Sequence, residues 1–280
     1  ELLERTDMLL GTGLVGGIIR NNGRFTAAEE MIEMGGGDLF KICDENSRHR
    51  NIDFPGHMHA TLYDIGKIHG AVLSYLKEAG VKIHFRCRIS KINMENEIIN
   101  YVEDQKGNKF NGDVFIDATG TAGPTNNCVK YGNGCAMCVI RCPSFGGRVS
   151  LAALAGVEEY VGKRADGSPG VMSGSCKLFK ESLSKEIQSQ LDKEGVVIIP
   201  IPEEFTEDKL GIKACQQYAI KEFKENIILL DTGHAKLMSP YMSLETLQKI
   251  PGFESARYED PYAGSLGNSM RYFSITPRDN

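Results

Sequence analysis

With 280 residues, 41% of them hydrophobic and 31 of them glycine, the chain is long enough for one large domain or two moderate ones around a sizeable core. No stretch approaches the roughly 18 consecutive apolar residues that suit a membrane-spanning helix. The first residues also lack the charged-then-apolar pattern of a secretory signal. A formal net charge of −5 and a pI near 5.8 argue against a broad electrostatic footprint for nucleic acid.

The chain begins without Met, at Glu1-Leu2-Leu3-Glu4, a short apolar strand that ends in an acid. A glycine-rich turn comes next, with Gly11, Gly13, Gly16 and Gly17. In dinucleotide-binding folds an acid at the end of the second strand bonds a ribose hydroxyl. The phosphate-cradling glycine motif belongs upstream of such an acid, within the same βαβ unit. The expectation is therefore a piece of a larger dinucleotide-dependent protein, without its first strand and phosphate loop. Residues 64–79 then place Ile65, Ile68, Val72 and Leu76 at helical spacing, with Gly80 as the stop. Val81–Phe85 alternates as a strand. Residues 88–92, 97–102 and 109–111 form a predicted antiparallel meander with a turn at Lys106-Gly107-Asn108. Val114-Phe115-Ile116 reads as a buried strand running into Asp117-Ala118-Thr119-Gly120.

After Pro124 the texture changes, and a domain boundary is placed near 125. Residues 128–150 are rich in Cys and Gly. Residues 180–194 form a predicted helix on the stripe Leu183, Ile187, Leu191, closed by Gly195. Val196–Ile199 and Ile227–Asp231 read as strands, 211–224 and Ser243–Ile250 as helices.

Three segments of the first 125 residues resemble the glutathione-reductase-like FAD flavoproteins: Leu2–Gly17, the Asp64–Phe85 helix–strand unit, and Asp113–Gly120 with its Ala-Thr-Gly turn. Two later segments, Arg141-Cys142-Pro143-Ser144 and Asp231-Thr232-Gly233-His234-Ala235-Lys236, are distantly similar to flavoproteins that modify tRNA uridines, which include the glucose-inhibited division protein A group. The resemblance implies an α/β fold: an incomplete FAD-binding Rossmann-like domain with a β-meander (1–125), then a mixed α+β substrate domain (126–280). It implies FAD as cofactor, with Glu4 on the ribose, Gly11, Gly13, Gly16 and Gly17 against the dinucleotide, and Thr119 and Gly120 flanking it. The family's phosphate fingerprint and its closing Gly-Asp segment do not appear, which implies weak FAD binding or none by this stretch alone.

Eight cysteines are unevenly spread, and Cys128, Cys135, Cys138 and Cys142 fall within 15 residues. Such clustering points to metal or redox chemistry and a reducing, cytoplasmic setting more than to a disulfide scaffold. Cys135-x2-Cys138-x3-Cys142-Pro143 matches the tail of a bacterial ferredoxin pattern, and Cys128 could complete four iron–sulfur ligands. Cys138 and Cys142 could instead be a catalytic thiol pair beside a flavin, or the cysteines could fill a buried strand as small apolar residues. His57-x-His59 places two imidazoles on one face of an extended segment, without an identifiable third metal ligand. Arg141, Arg148, His234 and Lys236 could anchor a carboxylate or favour a reduced, anionic flavin.

The main expectation is an FAD-dependent oxidoreductase acting on a small molecule, with a redox partner and with nucleic acid disfavoured by the acidic balance. Alternatives are a flavin-dependent tRNA-modifying protein and a non-catalytic iron–sulfur or assembly module.

Overall fold

The computed structural model describes residues 1–11, 13–119, 149–157, 176–205, 220–239 and 244–259. The cluster Cys128, Cys135, Cys138 and Cys142, with Gly120, Arg141 and Arg148, lies outside them.

Strand β1 (Leu2–Leu3) pairs in parallel with β5 (Ile83–His84). Between them come α1 (Gly13–Gly16), β2 (Ile18–Ile19), α2 (Arg24–Glu33), α3 (Asp38–Glu45), β3 (Ser47–Phe54), β4 (His57–Tyr63) and α4 (Ile65–Glu78). The order of strands and helices is that of an α/β fold with coarse Rossmann-like character. Helix α4 forms where the periodicity placed it. Asp64 caps it by accepting from Gly66 N at 2.9 Å, Ile68 and Val72 bury one stripe, and Gly80 leaves it with φ +76°. That stripe packs with Leu9, Ile42, Cys43 and Tyr63.

The meander is present as β6 (Ile89–Glu95), β7 (Ile98–Asp104) and β8 (Lys109–Asn111), antiparallel in that order. Its tight turn is organised by Asp104, which accepts from Lys106 N (2.8 Å), Asn108 N (2.9 Å) and Asn108 Nδ2 (2.8 Å).

The buried strand expected at 114–116 is not found. Val114 and Ile116 are 78% and 83% exposed. An apolar run stays buried only where neighbouring strands pair with it and cover its faces, and no described strand pairs with this one. The next residue serves as a helix cap instead. Asp117 Oδ2 accepts from Leu151 N at 2.9 Å and Ser150 Oγ at 3.2 Å, at the start of the short helix α5 (Leu151–Leu154).

The later residues build a four-stranded antiparallel sheet. Its strands are β9 (Cys176–Leu178), β10 (Val196–Pro200), β11 (Asn226–Asp231) and β12 (Ala235–Ser239), in the order β10-β11-β12-β9. Helix α6 (Lys185–Glu194) precedes β10, capped by Ser184 and ended by Gly195 at φ +77°. Helices α7 (Ile220–Glu225) and α8 (Leu244–Leu247) flank the last two strands. Strand β11 is apolar on both faces because both are covered. Ile227 and Leu229 join a core with Ile187 and Leu191 of α6 and with Leu247, Ile250 and Phe253. Ile228 and Leu230 join a second core with Phe54, Ala60 and Leu62 of the β3–β4 hairpin and with Phe223. The N-terminal hairpin thus packs on the C-terminal sheet, which brings the ends of β11 and β12 to the glycine-rich turn.

Candidate functional site

At the end of β11 the chain turns through Thr232-Gly233 into β12. Asp231 is fully buried, yet it is surrounded by cations. It accepts from Arg48 Nε at 2.8 Å and His49 Nε2 at 3.0 Å, with Lys180 Nζ at 3.2 Å. Burial alone would raise its pKa; the bonds from Arg48 and His49 and the charge of Lys180 outweigh that and hold it below the usual carboxylate value. Arg48 also reaches Asp64 at 3.4 Å and Asp192 at 3.6 Å. One guanidinium therefore joins the hairpin, the α4 cap, α6 and the β11 end. Gly233, at φ +96°, is required by this packing: a Cβ there would lie 2.8 Å from Asp64 Oδ1.

The glycine-rich turn closes against the same place. Gly17 has φ +68°, and a Cβ on it would lie 2.5 Å from Thr232 Cγ2. Its carbonyl accepts from Tyr63 N at 3.0 Å, while Ile65 N donates to Thr232 O at 3.1 Å. Tyr63 Oη donates to Gly13 O at 2.6 Å, and the buried Lys236 donates through Nζ to Gly16 O. Along β12, Ala235 and Leu237 enter one core and Met238 the other, so Lys236 points with Met238 towards the N-terminal part.

Two imidazoles lie near Lys236, and both are held neutral. His57 stacks on Phe54 with ring centroids 4.5 Å apart. The Asn21 amide donates to its Nδ1 at 2.6 Å, which leaves the proton on Nε2. Burial, then the charges of Lys236 and Arg24, push its pKa down to about 4. His234 is only 5% exposed; burial, then Lys177 and Lys236, push it down to about 3 against the opposing pull of Asp231. Its Nε2 is 3.5 Å from Thr232 Oγ1.

The residues expected to hold a cofactor are distributed unevenly around this centre. Gly13, Gly16 and Gly17 border it, and the inner sides of Gly16 and Gly17 are taken up by Tyr63 and Thr232. Gly11, at φ +46°, has no described residue within 4 Å of where a side chain would begin. Glu4 turns back on its own loop, with Oε1 accepting from Thr6 N at 2.7 Å and Thr6 Oγ1 at 2.9 Å. Thr119 is exposed and donates through N (2.9 Å) and Oγ1 (2.6 Å) to Asp117 Oδ1. His57 and His59 do not converge: His59 sits at φ +58° with Nδ1 2.8 Å from Asn51 Oδ1. Among the described residues no three metal-binding side chains come together.

Sequence reasoning passed over Arg48, His49, Asn21, Asp64 and Lys180. One signal was available: Asp231 ends a wholly apolar strand, and a buried acid there demands cations from elsewhere.

The family model described as "Glucose inhibited division protein A" matches residues 12–238, and the chain belongs to that family. Two crystal forms of GidA from Aquifex aeolicus are similar to it. Form II gives a TM-score of 0.47 at 11% identity over 88% of this chain and 47% of that one. Form I gives 0.48 at 12%, over 88% and 49%. The chain thus spans about half the length of those proteins. No curated protein matches. Two expectations are corrected by the family match. The chain is a direct member of this family, not a reductase-like flavoprotein distantly similar to it. The exclusion of nucleic acid also fails, because the family that matches is the one whose resemblance implied a tRNA-modifying protein. Net charge is a sum over the whole surface, and it does not describe any single groove. Among the described residues no helix is long and apolar enough to cross a membrane.

Proposed function

We propose that this chain is part of a flavin-dependent protein that acts on tRNA uridines in the cytoplasm. The observation that carries this reading is the family match over 12–238, a span that holds Gly13, Gly16 and Gly17 of the glycine-rich turn and the Asp231–Lys236 segment packed against it. In this reading residues 1–125 carry the FAD-binding part and 126–280 the substrate part.

The residues present suit an FAD on the outer side of the turn. Gly11 combines left-handed backbone with a side that is open among the described residues, so a flat ring or a phosphate can approach its main chain without meeting a Cβ. Gly13 and Gly16 continue that surface, with Gly17 proposed behind them against Thr232, and Glu4, Thr119 and Gly120 are proposed at its margins. Bound flavin supplies hydride or electron transfer. Lys236, fixed on the Gly16 carbonyl, places a buried positive charge behind the turn, where it favours an anionic group. Tyr63 holds the turn's shape through the Gly13 and Gly17 carbonyls. His57 and His234, uncharged near neutral pH, add no competing positive charge. Cys138 and Cys142 are proposed as flavin-linked thiols.

The test is made on the full-length protein: the visible spectrum after FAD addition, and tRNA retention as salt is raised. A flavin band together with tRNA binding that weakens steeply with salt is the expected result. Colourless protein that retains no tRNA at low salt overturns the reading.

A further inference from the structure

Among the described residues, His234 Nδ1 and Glu259 Oε2 are both buried atoms with no hydrogen-bond partner. They face each other at 3.8 Å. Native proteins rarely leave buried polar atoms unpaired, and two such atoms face to face are each other's natural partners. The gap is too short to admit a bridging water between them and about 1 Å too long for a hydrogen bond, a distance that a small side-chain movement closes. Glu259 is anchored for that role: its N donates to Lys177 O at 2.9 Å, beside the Leu178–Tyr258 bridge. On the other side of the ring, Nε2 faces Thr232 Oγ1 at 3.5 Å. Thr232 is fully buried against Gly17, whereas the Glu259 side chain is one-third exposed.

We infer that Thr232, His234 and Glu259 form a proton path between the inner side of the glycine-rich turn and solvent. Its use rests on the flavin reading above; its existence does not. The polarity is consistent along the line. The Glu259 carboxylate accepts from Nδ1–H, and the Nε2 lone pair is left to accept from the Thr232 hydroxyl. In the outward direction, a proton released at the turn passes to Thr232 Oγ as the threonine's own proton moves to Nε2. Nδ1–H is then lost to the Glu259 carboxylate, which releases it to water. One proton leaves the interior and one enters solvent; Thr232 and Glu259 are restored, while His234 is left as the Nε2–H tautomer and returns to Nδ1–H, by ring rotation or back transfer, before the next proton passes. The charged groups facing the ring are Lys177 from β9, Lys236 from β12, Asp231 from the β11 end, and Glu259. Burial keeps the imidazole uncharged, with Lys177 and Lys236 adding to that effect and Asp231 opposing it, so that it takes up a proton only in passing. Glu259 acts here as a positioning residue, because it selects the tautomer of His234.

Nitrogen-15 NMR of the histidine rings reads this directly in the protein without added cofactor. The expected signature is a neutral, Nδ1-protonated His234 at pH 7 whose tautomer balance moves towards Nε2–H in Glu259→Gln. An Nε2-protonated His234 that Glu259→Gln leaves unmoved overturns the inference. With FAD bound to the full-length protein on the other side of the turn, Thr232→Val and Glu259→Gln are expected to shift the pH profile of flavin reduction, because they change protonation behind the turn. Thr232→Ser, which keeps the hydroxyl, should restore it. Variants that bind FAD normally and show wild-type pH profiles also overturn the path. If the full-length protein takes up no FAD, the flavin reading fails and the tautomer measurement alone decides the path.

Discussion

Asp231 and His234 share one turn between two strands, and the fold treats them in opposite ways. Asp231 keeps its charge, with Arg48, His49 and Lys180 brought to it from two other segments. His234, also buried, is left neutral, with one ring nitrogen unpaired among the described residues. The difference shows that the turn serves two purposes. Its first half ties the sheet to the hairpin and to α4; its second half leaves acid–base groups uncommitted beside the glycine-rich turn.

The sharpest way to break that contrast is Asp231→Ala. It leaves Arg48, His49 and Lys180 without their shared partner, and removing one member of a buried ion cluster costs about 3–5 kcal/mol. Urea unfolding should show this; a loss below about 1 kcal/mol means that solvent, not Asp231, compensates those cations.

Acidification probes the other half. His57 and His234 have folded pKa values of about 4 and about 3, against 6.5 when unfolded. The unfolded chain therefore binds protons that the folded chain refuses between pH 6.5 and 4, and stability falls as pH drops through that window. The loss down to pH 4 should be on the order of 6 kcal/mol, and about half of it should vanish in His234→Gln. Asp231, with its lowered pKa, contributes stability that is present above its unfolded value and disappears only at still lower pH. A urea midpoint that is flat from pH 7 to about 4.5 would sink the assignment of two buried neutral imidazoles.

Gly17→Ala tests the contact between turn and sheet. The backbone there is left-handed, and the new methyl group would press on Thr232. The expected cost is about 2 kcal/mol, partly relieved by adding Thr232→Ser, which removes the contacting Cγ2. Strict additivity of the two substitutions in a double-mutant cycle would show that the backbone, not the contact, carries the cost. The smallest effect belongs to Val114→Ser. At 78% exposure, Val114 has little burial to lose, and a change within about 0.5 kcal/mol is expected in thermal unfolding.

Much of the fold was legible in the residues. The α4 and α6 stripes, their glycine stops, the meander turn and strand β11 all arise from local periodicity and turn chemistry, which act over a few residues. The β3–β4 hairpin escaped because Asn51 and His59 have positive φ and the pairing shifts register three times, so its polar–apolar alternation is broken. The strand expected at 114–116 failed for the opposite reason. Its apolar pattern is clear, but a pattern states a capacity for burial, and only paired neighbours turn it into a strand.

The candidate site divides along the same line. By itself the sequence determined the glycine-rich turn, the acid at the end of an apolar strand and the His234–Lys236 segment, since each is a short run with its own chemistry. Only the tertiary structure decided that these runs meet. Arg48 and Asp231 are 183 positions apart, and Lys236 and Gly16 are 220 apart. No local propensity encodes such a meeting, because it arises from two apolar faces of one strand finding separate covers. The resulting burial holds a carboxylate charged at one end of a turn and an imidazole neutral at the other.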